Sequence, residues 1–303
     1  DFQVFDTENP ACSVESVPVS VNARTRFIYE AACCGLRDFF VKNGYKKACV
    51  GVSGGIDSAV VACLAVAALG AENVRGLMMP SQFSSEGSVE DAKQLAENLG
   101  IEFHVVPITE AYRSIVDTLI PVIGGTDFDA TEENIQSRIR TLMLMALQNK
   151  NGYVLLNCSN KSENALGICT LYGDTGGAFS VTGDLYKTEM YDLARYINRK
   201  FGAPIPENIL TKEPSSELRP NQKDSDMLPS YEVVDAILYR LIEDGQSREE
   251  IINAGFDSDE VQKIYAMVMR NEKKRFQYPP VLRLSSSSFG HEYRMPLTHK
   301  YVK

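Results

Sequence analysis

The sequence predicts an α/β fold, in which a doubly wound parallel sheet is followed by a group of C-terminal helices. Short apolar runs alternate with helical stretches through the first half of the chain, and a glycine turn joins the first run to a helix. After about residue 204 this character changes and mainly helical periodicity continues. Continuous apolar strands separated by helices are typical of a parallel sheet that carries helices on both faces.

The first 24 residues differ from the remainder of the chain. They contain scattered apolar residues and two prolines, so we interpret residues 1–24 as a linker or extended arm and residues 25–303 as one domain. The first helix is predicted at 25–41, where apolar residues recur at helical spacing until Asn43 and Gly44 end the pattern.

The elements that follow are predicted in alternation. The strands are expected at 48–52, 74–79, 103–108 and 153–157, and the helices between them at about 57–69, 86–99, 110–121 and 133–149. Gly70 and Gly100 lie where two of these helices should end. Residues 212–229 are polar and contain prolines, which predicts a surface loop, and two or three helices follow near 231–243, 247–254 and 257–271. The serine run at 285–288 has the composition of a flexible linker.

The composition limits which partners the protein can bind and which cellular compartment suits it. A net charge of −9, from 31 basic and 40 acidic side chains, argues against a nucleic-acid partner, because such binding needs a basic surface. The longest apolar run, residues 59–69, is roughly half of a membrane span and is predicted as a buried helix. No membrane partner is therefore expected. The seven cysteines lack a zinc-type CxxC spacing, so a reduced, cytoplasmic setting is expected.

The strongest signal is a strand, a glycine turn and a helix start in immediate succession at residues 47–58, KACVGVSGGIDS. Free backbone N–H groups at a helix N-terminus form an anion site together with the helix dipole. Gly54 and Gly55 let the backbone approach a phosphate, and Ser53 and Ser58 add hydroxyl donors. Asp57 repels a phosphate unless Mg²⁺ lies between them, so its presence here points to a magnesium site.

A plain glycine turn between a strand and a helix is the alternative interpretation of this segment. The complete SGGxDS string favours a phosphate site instead, formed by Gly51, Val52, Ser53, Gly54, Gly55, Ile56, Asp57 and Ser58. The string is not a Walker A loop, because no GK[ST] follows, and it is not GxGxxG.

The SGGxDS string resembles the pyrophosphate-binding loop of the N-type ATP pyrophosphatases, which implies a fold of the adenine-nucleotide α-hydrolase type. Members of that superfamily cleave ATP between the α and β phosphates and transfer AMP to a substrate. Residues 27–303 resemble the NAD synthetase family through an ordered set of strings: GVSGGIDS, ENIQSRIR at 133–140, SNKSE at 159–163, LYGDTGG at 171–177, GDLYKTEMY around Lys187, KEP at 212–214, and His299-Lys300.

The resemblance implies an ATP and magnesium site. Glu163 matches the family's magnesium ligand and would share the ion with Asp57; a charge at a helix start is the alternative. It follows a predicted strand, at the edge where ligands collect in open α/β sheets. Lys187 and Ser215 match ATP-contacting positions, although a helical lysine taken alone is more often solvated. Cys158 matches a further ATP contact, where the family usually has Thr or Ser.

The resemblance also implies a site for deamido-NAD. Asn134 and Arg138 lie one helical turn apart and can face the same ligand. Arg138 matches an arginine that binds deamido-NAD, and a surface salt bridge is the alternative. Asp174 can hydrogen-bond the substrate or orient ammonia, and is otherwise a turn aspartate. His299 and Lys300 match a pair that contacts deamido-NAD.

The activity that the resemblance implies is amidation of deamido-NAD to NAD, with Mg²⁺ and ATP. The nicotinate carboxylate would attack the α-phosphorus and release pyrophosphate, and ammonia would then attack the NAD-adenylate and release AMP. Asp57, Glu163, Lys187 and Asp174 are the expected catalytic residues, and no protein nucleophile is required. A homodimer is also implied.

Leu171 departs from the lysine of small ammonia-dependent members, which makes the chain more like the synthetase domain of the longer glutamine-dependent enzymes. Those enzymes obtain ammonia from an N-terminal amidase domain with a nucleophilic cysteine. About 26 residues precede the first helix by this interpretation, fewer than a domain needs. The expectation is therefore that this chain lacks an amidase domain and uses free ammonia.

Two alternatives stay open at this point. The first is another ATP pyrophosphatase, such as a tRNA-modifying thiolase or a GMP synthetase part; the acidic charge and the absence of a zinc-like cysteine cluster count against a tRNA enzyme. The second is a module that binds ATP without chemistry. The pair Asp57 and Glu163 counts against it, because passive adenosine binding needs no magnesium clamp.

Overall fold

A computed structural model describes residues 21–124 and 127–300. Five parallel strands form a sheet in the order β3-β2-β1-β4-β5. They are β1 (Lys47–Gly51), β2 (Val74–Met78), β3 (Glu102–Val105), β4 (Tyr153–Asn157) and β5 (Phe179–Ser180). The chain order reverses between β1 and β4, and open α/β sheets bind ligands at the carboxyl ends of strands at such a point.

The helices are named in chain order. They are α1 (Val21–Lys42), α2 (Ile56–Leu69), α3 (Glu86–Leu99), α4 (Thr109–Ile123), α5 (Ala130–Asn151), α6 (Lys161–Leu166), α7 (Lys187–Phe201), α8 (Glu207–Thr211), α9 (Tyr231–Ile242), α10 (Arg248–Asn253), α11 (Ser258–Arg270) and α12 (Glu272–Arg275). In the part of the chain that the structure describes, none of them has the length and apolar character needed to cross a membrane.

Buried side chains of β1 alternate between the two faces of the sheet, which confirms the doubly wound arrangement. Ala48 and Val50 join a core cluster with residues of α1, α2, α3 and α7, whereas Cys49 joins a cluster with residues of α4 and α5. A side-chain period of two produces this division. A separate cluster forms between α6, α9, α10 and α11, so the C-terminal helices have their own core beside the sheet.

Helix α1 begins at Val21, so the predicted arm is wrong at residues 21–24, which form the first turn of the helix. Arg24 makes an ion pair with Glu189 of α7 at 2.7 Å, a contact between residues far apart in the chain that no local pattern reveals. The rest of the predicted arm, residues 1–20, lies outside the described residues.

The helix ends at Gly70 and Gly100 are confirmed, since both glycines are C-caps with positive φ. The polar segment 212–229 is mostly irregular, as expected, with one 3₁₀ turn at Asp224–Asp226. The short elements β5, α6 and α8 were not predicted, because two to six residues hold too little periodicity to identify.

The serine run at 285–288 is not a flexible linker in the structure. Its residues surround the fully buried Lys161, whose Nζ donates to Ser285 Oγ at 2.7 Å and to Ser287 O at 2.9 Å. Lys161 also makes ion pairs with Asp184, at 2.9 Å, and with Glu243. These bonds tie the C-terminal segment to the start of α6, and we call this group of five residues the Lys161 cluster.

Candidate active site

The glycine turn after β1 has a backbone conformation that favours glycine. Gly54 has a φ of +79°, and a Cβ there would lie 2.2 Å from the carbonyl oxygen of Ser88 in α3. Such an approach excludes any side chain unless the backbone moves. The turn is therefore packed directly against the N-terminal part of α3.

The same turn leaves the N-terminus of α2 open for a ligand. Gly55 is the N-cap of α2 and provides no side-chain cap. Ser53 N donates to Ser58 Oγ at 3.1 Å, and Ser58 Oγ lies 3.1 Å from Gly55 O, so the serines hold the turn closed. Free N–H groups at the start of a fourteen-residue helix are suited to bind an anion, which is the role that the sequence predicts for this turn.

Three charged side chains converge beside this turn. Lys187 Nζ donates to Asp57 Oδ2 at 2.6 Å and lies 3.3 Å from Glu163 Oε1. Asp57 comes from the first turn of α2, Glu163 from α6 and Lys187 from the first residue of α7. The interpretation of Lys187 as a solvated lysine is wrong, because its exposed fraction is only 3%.

Burial and mutual attraction set the charges of this triad. Burial alone lowers the pKa of Lys187, but the Asp57 and Glu163 carboxylates outweigh it and hold that pKa well above its ordinary value. Burial raises the pKa of Glu163 to about 8, with Lys187 acting in the opposite direction and Asp57 adding to the rise. The site therefore carries one fixed cation beside the Glu163 carboxyl group, whose ionisation a further cation would favour.

Asn160 is a site residue that the sequence interpretation missed. Its Nδ2 donates to Asp57 Oδ1 at 3.0 Å, and its Oδ1 accepts from Glu163 N at 3.0 Å as the N-cap of α6. One side chain thus fixes both carboxylate-bearing segments. An Asn three residues before a helical Glu is a recognisable N-cap pattern, but only the fold shows that its amide reaches Asp57.

A cavity of about 310 Å³ opens above the triad. Its walls are the glycine turn, the ends of β2 and β4, the middle of α5 and the segment 212–218. Of the predicted site residues, those that line the cavity are Gly51, Val52, Ser53, Gly55, Ile56, Asp57, Ser58, Cys158, Glu163, Asp174, Lys187 and Ser215. Gly54 faces α3 instead.

Asp174 lines the cavity beside Ser137 of α5. Its Oδ1 accepts from Thr170 N at 2.8 Å, and Ser137 Oγ lies 3.3 Å from its Oδ2. Burial raises the pKa of Asp174 to about 6, although both hydrogen bonds work against the rise. An acceptor with a pKa close to neutral is suited to proton transfer at a reacting group.

Two arginines of α5 face different surroundings. Arg138 is exposed outside the cavity wall, where its Nε donates to Leu171 O at 3.2 Å. Arg140 lines the cavity, with its Nε donating to Met79 O at 3.0 Å. Burial lowers the pKa of Arg140 to about 10, and no carboxylate within the described ranges makes an ion pair with it. Sequence interpretation missed Arg140.

The remaining predicted substrate residues do not line the cavity. Asn134 Oδ1 accepts from Thr170 Oγ1 at 2.6 Å, beside the loop that holds Asp174. His299 Nε2 lies 2.9 Å from Met269 O, and Lys300 is exposed. The structure therefore brings Asn134 and Arg138 to one loop but does not place His299 and Lys300 with them.

The segment 212–218 is fastened to the N-terminus of α3. Glu217 Oε1 accepts from Ser85 Oγ at 2.8 Å and from Ser88 Oγ at 2.7 Å, and Lys212 Nζ pairs with Asp91 at 2.9 Å. Ser215 Oγ donates to Gln222 O at 2.6 Å, so its hydroxyl bonds within the polar stretch 212–229.

The donor set fits Mg²⁺ when phosphate is present. Asp57 and Glu163 already converge on one cation, the Lys187 ammonium. The described residues contain no group of three or more His, Cys, Asp or Glu side chains placed to hold a metal. Mg²⁺ is commonly bound by one or two carboxylates together with substrate phosphates, and two carboxylates beside an anion site match that requirement.

The sequence model of the NAD synthase family matches residues 28–278. The glutamine-dependent NAD(+) synthetase of Aquifex aeolicus is 52% identical over 276 residues, which make up 91% of this chain and 48% of that protein. The enzyme of the same name from Thermotoga maritima is 46% identical over 288 residues, 95% of this chain and 50% of that protein. The chain thus spans about half the length of these curated relatives.

Solved structures show the same similarity. A glutamine-dependent NAD+ synthetase from Acinetobacter baumannii in complex with ADP has 41% identity and a TM-score of 0.61, and the match covers 90% of this chain and 49% of that one. An NH3-dependent NAD synthetase from Campylobacter jejuni in complex with nitrate has 30% identity and a TM-score of 0.66, covering 82% and 95%. An NMN synthetase from Francisella tularensis has 26% identity and a TM-score of 0.71, covering 83% and 95%.

Proposed function

Because the chain belongs to the NAD synthase family, we propose that it catalyses the ATP-dependent amidation of deamido-NAD to NAD with ammonia. The observation that carries the proposal is the convergence of Asp57, Glu163 and Lys187 beside the open N-terminus of α2. This arrangement offers backbone donors for phosphate, two carboxylates for a divalent cation and a buried ammonium for developing negative charge.

The chain's own residues divide the first step between them. The turn at residues 51–58 binds the phosphates of ATP, and the Lys187 ammonium stabilises charge as the substrate carboxylate attacks the α-phosphorus and pyrophosphate leaves. Asp57 and Glu163 would hold Mg²⁺, which neutralises phosphate charge when bound. Ser215 and Cys158 line the same cavity and are proposed as ATP contacts.

The second step is the attack of ammonia on the acyl-adenylate, with AMP as the leaving group. We assign Asp174 to orient the ammonia and accept its proton, because the carboxyl is buried in the cavity wall and has a pKa of about 6. Asn134, Arg138, His299 and Lys300 are proposed to contact deamido-NAD outside the cavity.

The products of ATP test this function. Incubation of the chain with ATP, Mg²⁺, ammonium and deamido-NAD should give NAD, AMP and pyrophosphate, which chromatography and a pyrophosphate assay detect. Omitting deamido-NAD is the control and should remove AMP formation. ADP and phosphate as the products under turnover would refute the proposal, and binding of ATP without any product would favour the passive nucleotide-binding module.

Ammonia is the proposed nitrogen donor of this chain. Glutamine hydrolysis through a cysteine requires a thiol with a lowered pKa. Of the six described cysteines, Cys34 is exposed on α1, and burial raises the pKa of the other five: to about 12 for Cys49 and Cys63, to about 11 for Cys169, and above the ordinary value for Cys33 and Cys158. Buried thiols of this kind are poor nucleophiles.

We therefore expect NAD formation with ammonium and none with glutamine as the only nitrogen source. The measurement is NAD formed per minute in glutamine solutions freed of contaminating ammonia. Addition of ammonium to the same reaction is the control and should restore turnover. A rate with glutamine comparable to the rate with ammonium would show an amidase activity and overturn the proposal.

Arg138 and Arg140 make a matched pair for the substrate site. Arg138→Ala should raise the KM for deamido-NAD and leave the KM for ATP unchanged, because it lies outside the nucleotide cavity. Arg140→Ala should lower kcat/KM by ~10- to 10²-fold, the scale of one hydrogen-bonded charge. Steady-state kinetics with each substrate varied will separate the two roles.

The control for both arginines is Arg195→Ala, since Arg195 is an exposed arginine on α7. If Arg138→Ala changes the KM for both substrates equally, or changes neither, Arg138 is an ordinary surface residue and does not bind deamido-NAD. An Arg140→Ala protein with unchanged kcat/KM would show that the Arg140 cation does not contact an anionic ligand.

A homodimer and a cytoplasmic location are also proposed. Large apolar side chains are exposed on and beside α4 and α5, including Val122 at 81% and Leu142 at 66%. Exposed apolar groups on adjacent helices are typical of a protein interface. Six free cysteines among the described residues, including the neighbours Cys33 and Cys34, suit a reducing compartment.

A further inference from the structure

Helix α9 carries a buried carboxylate that the proposed reaction does not use. Asp235 is 5% exposed and lies between the first turns of α6 and α7. Its Oδ1 accepts from Ser162 Oγ at 2.5 Å, and its Oδ2 accepts from Thr188 N at 2.8 Å. Ser162 precedes Glu163 in the chain, and Thr188 follows Lys187. Asp235 therefore hydrogen-bonds the residue next to Glu163 and the residue next to Lys187.

These contacts satisfy N–H groups in the first turn of α7. The N-cap residue of α7, Tyr186, makes no side-chain cap hydrogen bond, and its own N–H donates to Glu189 Oε2 at 3.1 Å. The first N–H groups of the helix are satisfied from outside it: Lys187 N donates to Ser162 Oγ at 2.9 Å, and Thr188 N donates to Asp235. Capping of orphan N–H groups fixes where a helix starts, and here the start is Lys187 itself.

Keeping an ionised carboxylate at this position costs stability. Burial raises the pKa of Asp235 to about 6, although the bonds to Ser162 and Thr188 oppose the rise. A carboxyl with a raised pKa in the folded state is a stability cost above that pKa, and the cost disappears below the ordinary pKa near ~3.9. Because the buried Asp235 carboxylate costs stability, a role in positioning the neighbouring helices explains its presence better than a role in stabilising the fold.

We propose that Asp235 is a positioning residue that fixes the start of α7 against α6, so that Lys187 Nζ lies between Asp57 and Glu163. The inference rests on the proposed function, because it acts through Lys187. The distances from Lys187 Nζ to the two carboxylates, 2.6 and 3.3 Å, leave little room for a shift of the helix. A misplacement of about 1 Å in a reacting site can cost ~10²-fold in rate.

The test compares Asp235→Ala, Asp235→Asn and Ser162→Ala with Glu232→Gln, an exposed carboxylate on the same helix. Asp235→Ala should lower kcat by ~10²-fold at saturating substrate. Asp235→Asn should recover part of the rate, because its amide oxygen can still accept from Thr188 N. Glu232→Gln should match the wild type. Melting temperatures recorded at pH 8 and pH 5 monitor the fold.

A role through Lys187 predicts strong coupling between the two residues. In a Lys187→Gln background, adding Asp235→Ala should lower kcat by less than about 3-fold, because the side chain that Asp235 positions is already gone. An equal loss in both backgrounds, or a wild-type kcat in Asp235→Ala, overturns the inference. If Asp235→Ala does not fold, the loss of kcat caused by Asp235→Asn and by Ser162→Ala is compared in the same two backgrounds instead.

The proposed function can fail separately from this inference. A wild-type chain that forms no NAD refutes the function, and the role of Asp235 is then read from calorimetric affinity for MgATP. Weaker binding in Asp235→Ala than in Glu232→Gln would still support positioning of Lys187. Equal affinity in these two variants would refute it.

Discussion

Asp57→Asn should lower the rate of NAD formation by at least ~10²-fold while the chain stays folded. Asp57 Oδ2 accepts from Lys187 Nζ and Oδ1 accepts from Asn160 Nδ2, so both oxygens are used. An amide in this position turns one acceptor into a donor, which faces another donor and removes the negative charge that a divalent cation needs. The measurement is kcat and kcat/KM for ATP across a range of Mg²⁺ concentrations.

The matched control is Asp192→Asn on α7. Asp192 also pairs with a cation, Arg195 at 3.3 Å, but this pair is about half exposed. Such surface pairs contribute little, so activity and stability should stay near the wild-type values. A folded Asp57→Asn protein with near-full activity would make Asp57 an ordinary helix-start residue, and the magnesium proposal would then rest on Glu163 alone.

Gly54→Ala should destabilise the fold and remove ATP-dependent activity together. An alanine at a φ of +79° costs about 1–2 kcal/mol, because left-handed backbone is unfavourable for residues with a Cβ. Its Cβ would also lie 2.2 Å from Ser88 O, and relieving that overlap shifts the turn or α3 at a further cost of about 1–3 kcal/mol. Denaturant unfolding measures the loss of stability, and the AMP assay measures the loss of activity.

Gly87→Ala is the control for this substitution. Gly87 lies in α3, next to Ser88, but its φ is not positive and a Cβ there would meet nothing within 4 Å. Alanine is favoured over glycine in a helix by about 0.5–1 kcal/mol, so this variant should be as stable as the wild type or more stable. Wild-type stability in Gly54→Ala would show that the turn can move away from α3 freely.

Local signals account for what the sequence predicted well. The turn at residues 51–58 is continuous in the chain, so the strand, the glycines and the helix start can be recognised together. Glu163 and Lys187 were assigned their roles through strings that resemble a family, because α6 has only six residues and the bounds of α7 were not predicted. Four of the five described strands, β1 to β4, and the helices α2 to α5 followed from apolar periodicity alone.

Residues that act across long separations could not be predicted in this way. Asn160 reaches Asp57 across 103 positions, and Asp235 reaches Ser162 across 73. The side chains of Arg138 and Arg140 point in directions about 200° apart around the axis of α5. Which of them enters the cavity therefore depends on which face of α5 is buried. The apolar residues of α5 do not mark that face, since Leu142 is 66% exposed while Gln136 and Ser137 are buried.

The Lys161 cluster determines which parts of the molecule should unfold locally together. A fully buried ammonium cannot leave its carboxylate partners without exposing unpaired charge, so α6 and the segment 285–287 should separate from the core only together. Amide hydrogens at the start of α6 should then exchange with solvent at the same rate as those that Asp184 holds near Ser285. The C-terminal segment would thereby belong to the same cooperative unit as Glu163, although it lies far from it in the chain.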